Sequence, residues 1–156
     1  MNIYIATDHA GYAHKEKLKI FFEEENRKGH LYKVIDCGAY ELDLNDDYTV
    51  YIHKAMLALT RDWQIGEMSR AIIFGGSGQG EAMVANRYIG VRATTYYGYD
   101  TEIVRLGREH NDANVLSIGA RFVGPIEMCN VVRIFLETAF SGDERHVRRI
   151  AQINLS

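Results

Sequence analysis

The segment AIIFGGSGQGEAMVANR, residues 71–87, decides the fold of this chain. It opens with an apolar run that is typical of a buried strand, and it closes with a stretch that favours a helix. Four glycines stand between the two, at Gly75, Gly76, Gly78 and Gly80. A buried strand that turns through glycines into a helix is half of a βαβ unit. We therefore expect a parallel sheet, with further units of the same kind on both sides of this segment.

Strands and helices alternate along the rest of the chain. The predicted strands are residues 2–7, 31–38, 70–74, 91–97 and 114–120. The predicted helices are residues 10–27, 48–61, the stretch after the glycines up to 86, 100–109, 126–140 and 143–154. This alternation predicts an α/β fold with a doubly wound, five-stranded parallel sheet. No internal repeat, low-complexity tract or linker interrupts the pattern, so a single domain over residues 1–156 is expected.

The composition narrows the classes of function. The 156 residues carry a formal net charge of −3 and have a pI near 6.1, which argues against a general nucleic-acid or membrane-surface binder. No apolar run approaches the roughly 20 residues that cross a bilayer, and the first residues do not resemble a signal peptide. Cys37 and Cys129 have neither the number nor the spacing of a disulfide framework or a metal site. We therefore expect a reduced, cytoplasmic protein with no metal and no nucleic-acid or membrane partner.

The glycines first suggest a nucleotide-binding loop, but Glu81 contradicts that interpretation. Gly75 and Gly80 have the spacing of a P-loop, yet Glu81 and Ala82 replace the lysine and the hydroxyl residue that such a loop requires. The dinucleotide fingerprint, begun at Gly76, also reaches Glu81 where its third glycine should stand. A carboxylate at this place would repel a bound phosphate.

The same loop suits a transient anion. A strand–glycine–helix turn presents a row of backbone N–H groups at the positive end of a helix dipole, and such groups stabilise an oxyanion that forms during a reaction. A carboxylate beside them can take up the proton that is released. The alternative is a tight turn in which Glu81 is an ordinary acidic residue of the first helical turn. Asp8 and His9 are predicted to lie nearby, because ligands of parallel sheets bind beyond the carboxyl ends of the strands.

Four motifs together resemble the type B ribose-5-phosphate isomerase family, which also contains the galactose-6-phosphate isomerase subunits. They are TDHAG at 7–11, GGSGQGE at 75–81, REHNDANVLSIGAR at 108–121 and ERHVRRI at 144–150, and the resemblance extends over nearly the whole chain. It implies a Rossmann-like three-layer α/β/α fold and a homodimer, or a tetramer, with its site at the subunit interface. It also implies that aldose and ketose phosphates are interconverted through a cis-enediolate, without a metal or nucleotide cofactor.

The resemblance implies catalytic roles for several residues. One branch of the family uses a cysteine as the base at the position of Gly75, and the other uses a glutamate at the position of Glu81, so this chain is similar to the glutamate branch. Ser77 would then hydrogen-bond the reacting oxygens, and His110 matches the acid–base residue that opens the sugar ring. The oxyanion cradle would be formed by Gly76, Gly78 and Gly80.

The resemblance also implies which residues bind the sugar phosphate. Asn111 and Asp8 are expected to hydrogen-bond the sugar, and Tyr48 is expected to line the ring site. The cations expected to meet the phosphate are His9, Arg145, Arg149 and, reaching from one subunit into the other's site, Arg121. The sequence supports this independently, because Arg145 and Arg149 are four residues apart on one helical face, in the densest basic cluster of an acidic chain.

The sequence leaves the choice of sugar open. We expect the interconversion of ribose 5-phosphate and ribulose 5-phosphate, with a six-carbon aldose phosphate of the galactose 6-phosphate or allose 6-phosphate type as the alternative. A catalytically silent subunit that binds sugar phosphates is a further alternative. Many members of the family carry a Tyr-Pro-x-Tyr element where this chain has Tyr48-Thr49-Val50-Tyr51, and the preceding segment 39–47 is unusually acidic. Loss of the proline frees an N–H, so the local turn is expected to differ.

Overall fold

A five-stranded, all-parallel sheet forms the centre of the protein in the computed structural model, which describes residues 1–153. The strands are β1 (Asn2–Ala6), β2 (Lys33–Asp36), β3 (Ser69–Gly75), β4 (Ala93–Tyr96) and β5 (Val115–Gly119). The helices are α1 (Tyr12–Arg27), α2 (Tyr48–Gln64), α3 (Gln79–Ala85), α4 (Glu102–Asn111), α5 (Pro125–Glu137) and α6 (Glu144–Ile153), and a 3₁₀ turn, His9–Gly11, precedes α1. The strand order is β2-β1-β3-β5-β4. The predicted α/β fold with a five-stranded parallel sheet is confirmed.

Apolar side chains cover both faces of the sheet, which gives the domain three layers. Along β3, Ile72 and Phe74 belong to the core formed with α1, α4 and α5, whereas Ala71 and Ile73 belong to the core formed with α2 and α3. All four side chains are fully buried. A strand that is covered on both faces needs apolar residues at consecutive positions, which explains the unbroken apolar run of this strand.

The order of the strands creates a crevice between the ends of β1 and β3. From β1 the chain moves outward to β2, and it then crosses back to form β3 on the other side of β1. Ala6 pairs with Ile73, so the two strands end side by side. The helices that follow β1 and β3 pack on opposite faces of the sheet. Ligands of open parallel sheets bind at such a point, and both Asp8 and the glycine loop lie there.

The boundaries of the elements differ from the prediction mainly at the edges of the sheet. Strands β2 and β4 are each paired on one side only, and both are shorter than the predicted segments 31–38 and 91–97. An edge strand ends where its single neighbour stops offering partners, which local propensity does not report. Helix α4 continues past residue 109, so His110 lies in its last turn. The predicted helix 143–154 corresponds to α6, and its residue 154 lies outside the described residues.

The apolar faces of the helices are used for packing on the sheet. Ile52, Met56 and Leu59 of α2 are fully buried, as are Met128 and Phe135 of α5. Within residues 1–153, no helix combines the length and the apolar composition that a membrane crossing requires.

Candidate active site

The glycine loop, residues 75–80, joins β3 to α3 and is held against the end of β5. Backbone N–H groups that follow β5 donate hydrogen bonds to the carbonyls of Gly75 and Gly76, at 2.8 and 3.1 Å. The buried hydroxyl of Ser117 donates to the carbonyl of Gly78 at 2.6 Å. Because β5 occupies the carbonyl groups, the shape of the loop is set by the neighbouring strand and not by the glycines alone.

Three consecutive N–H groups of this loop, those of Gly76, Ser77 and Gly78, have no hydrogen-bond partner within residues 1–153. Gly78 has a φ of 77°, in the left-handed region that favours glycine. Successive N–H groups in such a turn form a concave site for an anion. Two of the three residues predicted to form the oxyanion cradle, Gly76 and Gly78, are among these groups, so the loop can bind an anion with main-chain groups alone.

Glu81 is buried against the α-carbon of Gly75, with only 4% of its surface exposed. A β-carbon on residue 75 would overlap the Glu81 carboxyl group, so glycine is the residue that leaves room for it. Burial raises the pKa of Glu81, a backbone N–H hydrogen bond opposes the rise, and the negative charge of Asp8 adds to it. A carboxylate with a raised pKa is a better proton acceptor than an exposed one, as the removal of a proton from carbon requires.

His9 is oriented by Asp46, a residue that sequence reasoning missed. Oδ1 of Asp46 accepts a hydrogen bond from the His9 backbone N–H at 3.1 Å and lies 2.7 Å from Nδ1 of the ring. The hydrogen bond to Asp46 raises the pKa of His9; partial burial opposes the rise, and the charge of Asp8 supports it. His9 is thereby favoured as an imidazolium that can present Nε2 to an anion. Asp46 is one of four acidic residues in segment 39–47, so nothing in the sequence distinguishes it.

Asp8, His9 and Asp46 also form the one group in residues 1–153 whose ligand atoms could share a metal ion, since these atoms all lie within 4.8 Å of one another. The hydrogen bond between His9 and Asp46 accounts for much of this closeness. Asp8 is engaged in accepting a hydrogen bond from the Ala10 N–H at 2.9 Å. We therefore treat the three residues as a hydrogen-bonded group that faces the crevice.

Tyr48 and Arg121 lie next to the glycine loop. The Tyr48 hydroxyl approaches Gly80 so closely that a β-carbon there would be 2.7 Å from it. The Arg121 guanidinium covers Gly76, where a β-carbon would be 3.2 Å from Cζ. The sequence predicts that Arg121 reaches into the site of a second subunit, whereas the structure places it beside the loop of its own chain. We call the following residues the glycine-loop cluster: Asp8, His9, Asp46, Tyr48, Ser77, Glu81 and Arg121.

Four of the predicted site residues form a second group, on α4 and α6. The His110 ring stacks on the ring of His146, with centroids 4.3 Å apart and planes inclined by 8°. Nε of Arg145 donates to Nε2 of His146 at 3.2 Å. Burial lowers the pKa of His146, and the charges of His110 and Arg145 lower it further, which favours a neutral ring. We call the following residues the C-terminal cluster: His110, Asn111, Arg145, His146 and Arg149.

The two clusters lie at opposite ends of the strands: the glycine-loop cluster at the carboxyl ends and the C-terminal cluster at the amino ends. Asn111 ends α4 just before β5 begins, whereas Gly119, at the other end of β5, approaches the carbonyl of Ser77. A strand rises about 3.3 Å per residue, so the five residues of β5 separate the two ends of the strand by roughly 13 Å. One chain therefore does not bring His110 to Glu81. Within one chain, the predicted site residues are thus divided between the two ends of the strands.

Comparison with known proteins shows relatives that match nearly the whole chain. The family described as Ribose/Galactose Isomerase matches residues 3–153. Ribose-5-phosphate isomerase B of Mycobacterium leprae is 36% identical over 150 residues, which are 96% of this chain and 86% of the relative. The probable ribose-5-phosphate isomerase B of Mycoplasma pneumoniae is 36% identical over 151 residues, which are 97% of this chain and 91% of the relative.

Solved structures agree with this likeness. The ribose-5-phosphate isomerase B of Clostridium thermocellum superposes with a TM-score of 0.85 at 32% identity, over 98% of this chain and 95% of that one. The enzyme of Mycoplasma genitalium, solved with bound ribulose-5-phosphate, superposes with a TM-score of 0.83 at 34% identity, over 97% of this chain and 93% of that one. The similarity therefore extends over the whole fold and is not limited to a single motif.

Replacing Gly75 by alanine is expected to expel Glu81 from its buried position. The new methyl group takes the place of the carboxyl group, and the flexible glutamate side chain can turn outward, so thermal stability should change little. The pKa of Glu81 should then fall toward that of an exposed glutamate, because burial no longer raises it. Carboxyl carbon NMR measures this pKa. Gly124→Ala is the control, since an added β-carbon there meets no atom within 4 Å; an unchanged Glu81 pKa in Gly75→Ala would contradict the geometry.

Asp46→Asn is expected to lower the pKa of His9, because a neutral amide does not stabilise the imidazolium. A raised histidine pKa stabilises the folded state below the ordinary value of about 6.5, and this stabilisation is lost as the pH rises through the folded value. The wild type should therefore exceed the variant in free energy of unfolding at mildly acidic pH, and the difference should shrink in alkaline solution.

Urea unfolding over a pH series, together with NMR titration of His9, checks this prediction. Asp47→Asn is the matched control, because it removes the same charge from the exposed neighbouring residue. If both variants lose the same stability at every pH, Asp46 does not act through His9.

Proposed function

The chain belongs to the ribose/galactose isomerase family, and on this premise we propose that it is an aldose–ketose isomerase that interconverts ribose 5-phosphate and ribulose 5-phosphate. The observation that carries the proposal is the placement of Glu81, a buried carboxylate with a raised pKa beside N–H groups that no other group in residues 1–153 occupies. A base next to an oxyanion cradle is what the movement of a proton between adjacent carbons requires. The names of the relatives support this choice of substrate.

The first step is the opening of the sugar ring, which we assign to His110. The aldose is a cyclic hemiacetal, and its carbon-2 proton becomes acidic only when the carbonyl at carbon 1 is formed. An imidazole can give a proton to the ring oxygen and accept the proton of the carbon-1 hydroxyl. His146 packs against one face of this imidazole, which leaves the other face for the sugar.

The second step is proton transfer by Glu81. The carboxylate removes the proton from carbon 2, and the electron pair forms the carbon 1–carbon 2 double bond of a cis-enediolate. The negative charge that develops on oxygen 1 is stabilised by the N–H groups of Gly76, Ser77 and Gly78. Glu81 returns the proton to carbon 1, and a hydroxyl proton moves from oxygen 2 to oxygen 1, a transfer that we assign to the Ser77 hydroxyl. The product is the ketose.

The phosphate group is held by cations. Arg145 and Arg149 offer guanidinium forks that match phosphate oxygens in pairs, and His9, kept as an imidazolium by Asp46, is a further candidate. Arg121 contributes positive charge beside the glycine loop, where the enediolate forms. These charges concentrate at the site in a chain whose formal net charge is −3.

The site is proposed to lie between two copies of the chain. In a two-fold homodimer, the glycine-loop cluster of one protomer faces the C-terminal cluster of its partner, and the symmetry creates two equal sites. The separation of the clusters, roughly 13 Å along β5, supports this arrangement. A tetramer would be a pair of such dimers. Because sugar phosphates are charged and do not cross membranes unaided, we propose a cytoplasmic enzyme.

Wild-type protein is expected to convert ribose 5-phosphate to ribulose 5-phosphate, and Glu81→Gln is expected to lose activity by a factor of about a hundred to ten thousand. The amide cannot accept the carbon-2 proton, but it preserves the shape of the site, so substrate binding should remain. A coupled assay measures turnover, and calorimetry measures binding. Glu67→Gln, a change at an exposed acid outside the site, is the control.

The same assay on allose 6-phosphate and galactose 6-phosphate decides the length of the sugar. Faster turnover of a six-carbon substrate would replace the pentose assignment. Wild-type turnover in Glu81→Gln would remove Glu81 from the role of base. Binding without exchange of the carbon-2 proton would favour a silent binding subunit.

Mixed dimers are expected to recover activity when two inactive chains are combined. Glu81→Gln alters the glycine-loop cluster, and His110→Ala alters the C-terminal cluster, so each homodimer carries one defect in both of its sites. A mixed dimer has one site with both defects and one site with none. Random pairing of equal amounts makes half of the dimers mixed, so about a quarter of the wild-type activity should return.

A mixture of the Glu81→Gln chain with the Gly75→Ala chain is the matched control for this experiment. Both changes alter the glycine-loop cluster, so every site of the mixed dimer keeps one defect and no activity should return. Equal behaviour of the two mixtures would contradict a site shared between protomers. The two chains of each mixture are co-expressed in equal amounts with the same tag and purified together, and the activity of this randomly paired mixture provides the measurement.

A further inference from the structure

The segment that carries His110 ends in a backbone turn that non-glycine residues rarely adopt. Asp112, the residue after α4, has a φ of 45° and a ψ of 45°, in the left-handed region. Its N–H donates to the carbonyl of Arg108 at 3.1 Å, as expected at a helix end. Glycine would adopt this turn with less strain. An aspartate at this position therefore indicates that its side chain has a specific role.

The Asp112 carboxylate is bound by two arginines from different elements. Nη1 of Arg108, within α4, donates to Oδ1 at 2.7 Å, and Nη2 of Arg92, just before β4, donates to Oδ2 at 2.8 Å. Arg108 is only 3% exposed, so its charge requires a partner inside the protein. The carboxylate thus ties the end of α4 to the sheet.

The same two arginines hold the main chain that follows His110. Nε of Arg92 donates to one carbonyl at 2.8 Å and its Nη2 donates to the next at 2.9 Å, while Nη1 of Arg108 donates to a third. The three carbonyls are consecutive and belong to Asn111, Asp112 and Ala113. Guanidinium groups therefore fix both the side chain and the backbone of this turn.

We propose that Arg92, Arg108 and Asp112, here called the arginine clamp, are positioning residues that set the place of His110 for the reaction. The inference rests on the proposed function, since it concerns the same site. A helix end needs only to have its last carbonyls satisfied, which water can do at an exposed residue such as Asn111. The clamp does more, because it anchors the turn to β4. A misplacement of about 1 Å in a reacting group costs on the order of a hundredfold in rate, which is the loss the clamp prevents.

The clamp lies only at the amino ends of the strands, before β4 and β5. Within residues 1–153, none of its hydrogen bonds reaches the glycine-loop cluster. It should therefore influence the ring-opening step of His110 and leave the proton transfer by Glu81 unchanged. A residue that only stabilised the fold would affect both steps together.

The variant Arg92→Lys distinguishes a positioning role of the clamp from a purely structural one. The variant keeps the positive charge, but one ammonium group cannot reproduce the fork that binds two carbonyls and a carboxylate oxygen. The kcat for cyclic ribose 5-phosphate should fall roughly tenfold to a hundredfold, with little change in KM, because the phosphate-binding arginines remain. Exchange of the carbon-1 proton of ribulose 5-phosphate into deuterium oxide, followed by NMR, should stay near the wild-type rate. The ketose has an open chain, so this exchange needs Glu81 but not ring opening.

Asp112→Gly provides a second variant, because glycine relieves the left-handed turn while removing the carboxylate. The same split between turnover and proton exchange is expected. In a His110→Ala background, Arg92→Lys should cause no further loss, since both changes act on one step. Arg105→Lys is the matched control: Arg105 also lies on α4, but it is exposed and pairs with Glu102 at 3.0 Å.

Each outcome decides the proposal. Wild-type kcat in both Arg92→Lys and Asp112→Gly, a parallel fall of both reactions with thermal stability, or an additive loss in the His110→Ala background would overturn the clamp. Absence of turnover by the wild type would overturn the proposed function instead. In that case the NMR signal of the His110 ring decides the clamp: a shift in Arg92→Lys but not in Arg105→Lys supports it, and no shift in either overturns it.

Discussion

The order of the strands is the constraint on which the rest of the structure depends. It places the ends of β1 and β3 side by side, so His9 and Glu81, distant in sequence, share one crevice. β5, on the far side of β3, then supplies the hydrogen bonds that shape the glycine loop. If β3 were an edge strand, this loop would lack its support on one side.

Two buried charged residues, Glu81 and Arg108, lie in opposite electrostatic surroundings. Within residues 1–153, no cation pairs with the buried Glu81 carboxylate, so its charged form is costly and its pKa rises. Arg108 is buried to a similar extent, but a carboxylate and carbonyl groups surround it. In the proposed mechanism, the group that exchanges protons is poorly satisfied, whereas the group that holds a turn in place is fully satisfied. The two ends of the strands would then have different tasks, proton transfer at one and anchoring at the other.

The features that could be predicted from the sequence are those with a local signal. Alternation of apolar strands and amphipathic helices predicts the five-stranded parallel sheet, and Glu81 after the glycines argues against a nucleotide loop. Asp46 could not be predicted, because its contact with His9 depends on how segment 39–47 folds back over β1. The resemblance implies a site at a subunit interface, but the sequence does not report which predicted site residues lie at which end of the strands. A motif reports which residue types are present, but not at which end of a helix or strand each one lies.

A β-carbon at residue 75 would overlap the Glu81 carboxyl group, which links the residue types that these two positions can hold. Any side chain at position 75, including the cysteine that the family resemblance places there in the other branch, competes with the glutamate for the same volume. A side chain at position 75 and a buried Glu81 carboxyl group are therefore alternatives in this site. Steric exclusion at a single α-carbon thus couples the choice of residue at position 75 to the environment of residue 81, so a change at the first position alters the chemistry available at the second.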